Sequence, residues 1–389
     1  MPKPVETAPP LFGAHLDPVA EAAAANFIAR VMRNRRMLNA YNSMPEMNRA
    51  LINSSFHTWA NEHNLSPKAR NELHMALNVR TRAEFMGYMK TIIDWVRDKV
   101  GDRPYALIAE ITNTDLINGY TLTNAEITNG KLPRFVAKSS AWLAGPVVRE
   151  LPRKPDLLIP FYGDSKLSYL LMEKALKSGI RDFVHIDDAM YSGQQKATLI
   201  TKMQQVFLMS TFEHPETKLS GRMKPRLWLA VAFATQQSKN LIADTSQASR
   251  NLLGYQISAL DIFNIKLLAP GTIHAPKLAS NTVKEELRDK RHVVGPTMTL
   301  LPFKVPNTVS FGPPSLSNAL SKTVKKPVYK RIDIEHPPIP HVPTKLRTRS
   351  PTQSPRLPRL PRLPSNARRL ELLDRAVKSL HTRQPLQRR

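Results

Sequence analysis

The strongest constraint on how this chain folds is a series of short apolar runs between Tyr105 and His274, separated by segments of helical length. The runs are Tyr105–Ile111 (YALIAEI), Asp156–Pro160 (DLLIP), Asp182–Ile186 (DFVHI), Leu227–Phe233 (LWLAVAF) and Ile265–Leu268 (IKLL). Apolar residues fill consecutive rather than alternate positions, the pattern of strands buried on both faces. Helical segments lie between them, around Ser140–Glu150, Leu167–Lys177 and Lys196–Phe207, and from Lys239 onwards. Strand, helix and strand in this alternation imply right-handed crossovers and a parallel sheet covered on both faces. The expected fold is therefore α/β, with a sheet of approximately five strands over residues 102–312. Ligands of such sheets bind outside the carboxyl ends of the strands, where loops run into helix N-termini.

One of these junctions carries chemistry. The third run continues as Asp187-Asp188-Ala189-Met190-Tyr191-Ser192-Gly193-Gln194-Gln195 and then enters a helix. Adjacent carboxylates at a strand end suit two vicinal hydroxyls or a divalent ion. Ser192, Gly193 and the following N–H groups suit a phosphate, because the first N–H groups of a helix have no helical partner. Glycine also lets the backbone approach a ligand closely. A charge near a helix N-terminus is stabilised by only ~0.3–1 kcal/mol when exposed, so several donors must converge for useful binding. The same residues also suit an ordinary acidic loop, since Asp and Ser are common helix caps.

This segment resembles the ribose-phosphate motif of the type I phosphoribosyltransferase fold: an apolar strand, two acids, three residues, Ser or Thr, then Gly. It departs at Gln195, where a hydroxyl residue is usual, and at Tyr191, which is bulky. A looser likeness, of the kind seen in phosphoribosyltransferase-like proteins of large DNA viruses and some intracellular bacteria, extends to the segment from Phe303 to Phe311. The resemblance implies that Asp187 and Asp188 are the catalytic acids, holding ribose hydroxyls or Mg2+. It places the 5-phosphate on Tyr191, Ser192, Gly193, Gln194 and Gln195. Loops bearing Lys138, Ser139 and Ser140, then Ser165 and Lys166, and finally Lys304, would meet pyrophosphate. The implied ligand is phosphoribosyl pyrophosphate or a related sugar phosphate. The implied activity is phosphoribosyl transfer; the alternative is a non-catalytic scaffold or sensor on the same fold. No segment for recognising a nucleobase is legible.

Composition narrows the other possibilities. The absence of cysteine removes thiolate zinc sites, disulfides, iron–sulfur clusters and cysteine nucleophiles. The patterns GxxxxGK[ST], GxGxxG and HExxH are absent as well. His185 and His274 stand in or beside strand-like runs and read as structural. No long apolar window and no signal-peptide pattern occur, so a soluble intracellular chain is expected.

Residues 1–17 read as a flexible N-terminus and 18–101 as helical. In the helical region, Ser43 with Glu46 and Thr81 with Glu84 have the form of capping boxes, and Ser66-Pro67 is a helix start. About half of the 33 prolines follow Gly295. Residues 313–365 read as a basic proline-rich linker containing PRLPRLPRLP, whose three-residue period matches polyproline II. Residues 366–389 read as a disordered basic tail with a short amphipathic helix.

The net charge of +26 asks for a polyanion. Residues 331–389 hold fourteen Lys and Arg against four Asp and Glu, so much of that demand belongs to the tail. The partner implied is nucleic acid or an acidic surface, bound non-specifically and with strong salt dependence. Truncation after Lys330 should abolish most salt-dependent retention on DNA or RNA columns; unchanged retention would move the binding surface to the N-terminal helices.

Overall fold

The computed structural model describes residues 28–113, 135–161, 166–213, 224–252, 255–274, 283, 285–287, 297–304 and 313–324. The N-terminal seventeen residues, the PRLPRLPRLP repeat, the terminal amphipathic stretch and Ser165 lie outside the described residues.

After a helical stretch at 28–33, the N-terminal part consists of α1 (Arg35–Asn42), α2 (Arg49–Glu62), α3 (Pro67–Ala76), a short strand β1 (Asn78–Val79) and α4 (Arg82–Val100). Local chemistry sets several of these boundaries. Ser66 caps α3, accepting from the Ala69 N–H with Pro67 in the first turn. Thr81 and Glu84 close a full capping box on α4. The expected box at Ser43 does not form. Ser43 instead donates to the Asn39 carbonyl at the end of α1, and Asn48 caps α2 by accepting from Leu51 N–H.

The central series is β2 (Tyr105–Asn113), β3 (Phe135–Ala137), α5 (Ser139–Glu150), β4 (Leu157–Phe161), α6 (Lys166–Lys177), β5 (Asp182–Met190), α7 (Gln194–Glu213), β6 (Arg226–Thr235) and α8 (Gln236–Gln247). After these come β7 (Arg250–Leu252), β8 (Tyr255–Ile257), α9 (Ala259–Ile262), β9 (Asn264–Leu268) and β10 (Gly271–Ile273). Five strands, one from each apolar run, pair in parallel in the order β4-β2-β5-β6-β9. The antiparallel β3 lies beside the end of β2, and β10 continues along the edge of β6 after β9. Neither short strand is legible as an apolar run, nor is the β7–β8 hairpin. The first strand of the series has the second on one side and the third on the other, so the sheet reverses its winding between β2 and β5. The crevice at the carboxyl end of such a reversal is the usual ligand position.

Helices cover both faces. On one, α4 and α5 pack on the sheet with α1 against α5. Phe85 of α4 stacks at 6.4 Å on Phe233, Trp95 meets Trp228 edge-on, and Tyr41 of α1 meets Trp142 of α5 at 5.9 Å. Gly145 is required in α5, because a Cβ there would lie 2.8 Å from the Met32 carbonyl oxygen. On the other face α7 packs with α6, α8 and α9, and its Phe207 touches Phe183 of β5 at 5.0 Å.

A second apolar cluster gathers Phe56 and Trp59 of α2, Leu73 of α3, Leu300 of β11 (Thr299–Leu300) with Met298 just before it, and Leu316 and Leu320 of α10 (Pro314–Ser321). β11 pairs with β1, and Trp59 Nε1 donates to Ser315 at 3.0 Å. Residues 314–321, expected to belong to the linker, form a helix instead. Residues 314–321 present an apolar helical face that completes this cluster, outweighing the proline-rich composition of the surrounding sequence. Among the described residues, no helix is long and apolar enough to cross a membrane.

Candidate functional site

The two acids stand inside β5 rather than in a loop beyond Ile186. The strand runs on because Asp187, Ala189 and Met190 keep their register with Val231, Phe233 and Ala234 of β6. Neighbouring strand residues face opposite sides, so Asp187 and Asp188 do not present themselves as one pair of adjacent acceptors. Each has its own lysine.

Asp187 faces a buried cluster. Its Oδ2 lies 2.6 Å from Nζ of Lys196, which stands in the first turn of α7, and the same ammonium is 2.9 Å from Oε1 of Glu110 near the end of β2. The other oxygen, Oδ1, accepts from the Ser139 hydroxyl at 2.5 Å and the Asp188 N–H at 2.9 Å. The Ser140 hydroxyl accepts from the Glu110 N–H at 2.7 Å. His185, fully buried beside them, bonds through Nδ1 to the Ile108 carbonyl at 3.0 Å, and its Nε2 is 4.0 Å from Glu110.

Asp188 is paired instead with Lys304, whose Nζ reaches both carboxylate oxygens at 3.0 and 2.9 Å and lies 5.9 Å from the centre of the Tyr191 ring. Lys304 arrives on the tight turn from Leu301, which also sets Phe303 against Trp142 and Phe85. The lysine expected to neutralise a phosphate is thus already on a carboxylate. Its side chain is 21% exposed while that of Lys196 is 2% exposed, so only the first of the two can exchange partners without opening the core.

The Ser192-Gly193 turn leads directly into α7. Gly193 has φ +77°, and a Cβ there would lie 3.0 Å from the Ser238 carbonyl oxygen. Ser238 and Thr235, at the start of α8, hold the turn by donating to the carbonyls of Met190 and Tyr191 at 2.9 and 2.6 Å. Ser192, Gln194 and Gln195 are exposed and Tyr191 is buried. Ser139 and Ser140 serve the acidic cluster rather than opening outward. Lys138 is the residue before α5, its N–H on the Glu110 carbonyl at 3.2 Å. Lys166 begins α6, and its side chain lies outside the described residues, as does Ser165.

Burial works against each charge in the cluster, and the partners decide the outcome. Against burial, Lys196 foremost and then Lys304 and His185 hold Asp187 well below the usual carboxylate range. Glu110 is likewise lowered, with Lys196 again the main opposing influence. Lys196 is raised by Asp187 and Glu110. At Asp188 burial wins and the carboxyl is raised, although Lys304 opposes it. Burial, aided by Lys196, pushes the His185 imidazole down to about 4.

Glu110, His185 and Asp187 offer ligand atoms all within 4.8 Å of one another. The Lys196 ammonium, however, stands on two of the three. Magnesium also requires an octahedral shell of oxygens and keeps several waters, which a buried cluster with an imidazole does not supply. The residues do not fit Mg2+.

Sequence reasoning missed Glu110 and Lys196 and read His185 only as structural. The available signal was the single charge within YALIAEI and a lysine on the buried side of an amphipathic helix. No family model, curated protein or solved structure matches the chain.

The buried neutral imidazole gives the fold a pH dependence. A histidine whose folded pKa is depressed adds stability that is fully present above its unfolded value near ~6.5 and is lost as pH falls toward the folded value. The loss is on the order of 3 kcal/mol by about pH 4. Thermal melts from neutral to mildly acidic pH should show a falling midpoint, and His185→Gln should flatten that fall. An unchanged slope in the variant would contradict a neutral buried His185.

Proposed function

We propose that this chain is a phosphoribosyltransferase-like protein that binds ribose 5-phosphate or phosphoribosyl pyrophosphate without metal and without transferring the sugar. The observation that carries the reading is the placement of a lysine on each acid, Lys196 on Asp187 and Lys304 on Asp188. A transferase of the resembled kind leaves those carboxylates free for ribose hydroxyls or for magnesium. Here one is committed to the core and the other is released only when Lys304 moves.

Three features favour a sugar phosphate as the ligand. The acids lie at the carboxyl end of the β2–β5 switch point, where open parallel sheets take ligands. The exposed Ser192 and Gln194 stand at the start of a twenty-residue helix, on a glycine turn fixed by α8. Lys304 is a cation within reach among the described residues: an arriving phosphate draws it from Asp188, and the carboxylate it leaves becomes an acceptor for a ribose hydroxyl. That exchange couples ligand entry to the segment bearing Phe303. The basic tail adds a separate contact with nucleic acid or an acidic surface, which makes the α/β domain a ligand-sensing scaffold.

Calorimetric titration of the full chain with each ligand, in magnesium and in chelator, tests this directly. Equal binding in both conditions is expected, with no pyrophosphate release in the presence of a panel of bases. Ser192→Asp, which puts a like charge at the exposed phosphate seat, should weaken binding about tenfold or more. Absence of binding would remove the ligand assignment, and magnesium-dependent pyrophosphate release would replace the sensor with a transferase.

A further inference from the structure

We infer that the Lys196 ammonium is a built-in cation filling a three-donor site for a transition-metal ion, so that lysine and metal exclude one another there. The inference concerns the buried cluster alone and holds whether or not a sugar phosphate binds at the rim.

The donors are Glu110, His185 and Asp187. The histidine supplies the observation that points beyond an ordinary ion pair. Its Nδ1 faces the Ile108 carbonyl, which can only accept, so Nδ1 carries the proton and Nε2 presents a lone pair. That Nε2 is buried without a hydrogen-bond partner among the described residues. It lies 4.0 Å from Glu110 Oε1, which already accepts from Lys196, so the imidazole lone pair is the one donor atom of the three that no cation or N–H serves among the described residues. Lys196 reaches the two carboxylates and leaves the imidazole unserved.

The surroundings are those of a metal centre's supporting groups. Ser139 and the Asp188 N–H fix one oxygen of Asp187, Ser140 holds the Glu110 backbone, and Ile108 sets the imidazole tautomer. Outer contacts of this kind orient ligands and set their protonation. An imidazole with two carboxylates suits manganese, iron or zinc rather than magnesium. With ligand atoms no more than 4.8 Å apart, small inward movements bring all three to bonds of ~2.1 Å. An ammonium brings one positive charge and three short-range donors, and it is tethered to α7. The site is thereby independent of metal supply, and helix α7 is tied to β2 and β5 at all times.

The test is titration of the full-length parent and Lys196→Ala with Mn2+, followed by thermal denaturation and by the manganese resonance spectrum. The parent should show no change in midpoint and no imidazole-coordinated manganese. Lys196→Ala should take up one equivalent and gain roughly 5 °C or more at ~100 times the dissociation constant. Neither Lys196→Met, which fills the space with an apolar chain, nor His185→Ala combined with Lys196→Ala should gain. Three results would each overturn the inference. One is manganese bound by the parent and lost with His185. Another is Lys196→Ala that binds none, and the third is Lys196→Ala that stays unfolded when manganese is added.

Discussion

The structure depends on one ammonium held between two carboxylates near the carboxyl ends of two adjacent interior strands. Lys196 joins β2 through Glu110 and β5 through Asp187, and its own position opens α7. Ser139 brings the start of α5 to the same carboxylate from the opposite face. Four elements thus meet at one charge cluster with little access to water. Such clusters contribute little net stability against well-packed apolar replacements, yet removing one partner costs roughly 3–5 kcal/mol, because the other charge stays buried. Their consequence is geometric: the crevice between β2 and β5 has one arrangement.

The strand that carries the acids is fixed at its other end by a different charge. Asp182 accepts from Arg103, Arg226 and Trp228 Nε1, the last two at 2.7 Å. At the crevice, Lys304 is a partly exposed charge held on Asp188. It is delivered by residues 297–304, whose β11 pairs with β1 and whose Leu300 belongs to the cluster built on α2, α3 and α10. The second apolar cluster and the switch point are therefore linked through a few residues. Movement of Lys304 off Asp188 would be felt at Phe303 among Phe85 and Trp142.

The five parallel strands were legible because consecutive apolar residues mark strands buried on both sides, and each run became one strand of the sheet. The location of the acids was misjudged by a few residues for the same reason. The apolar run ends at Ile186, whereas buried partners for both acids allow the strand to continue to Met190. Lys196 and Glu110 are 86 residues apart, and only the parallel register of β2 with β5 brings them together. A two-residue strand such as β11 has no period to read. Helix α10 was hidden by the prolines around it, although Leu316 and Leu320 carry the helical spacing that buries it. The start of α7 after Ser192-Gly193 was legible because Ser and Gly ahead of a helical segment have a local cause, independent of the rest of the fold.

The central claim is that Lys196 is a permanently charged, water-shielded cation clamped by Glu110 and Asp187. Nitrogen-15 resonance of lysine-labelled protein, with assignment by Lys196→Met, measures that directly. The account predicts an ammonium signal from Lys196 with slow proton exchange that persists from neutral pH to well above the range in which surface lysine signals vanish. A neutral amine at Lys196, or exchange as fast as that of the surface lysines, would contradict it.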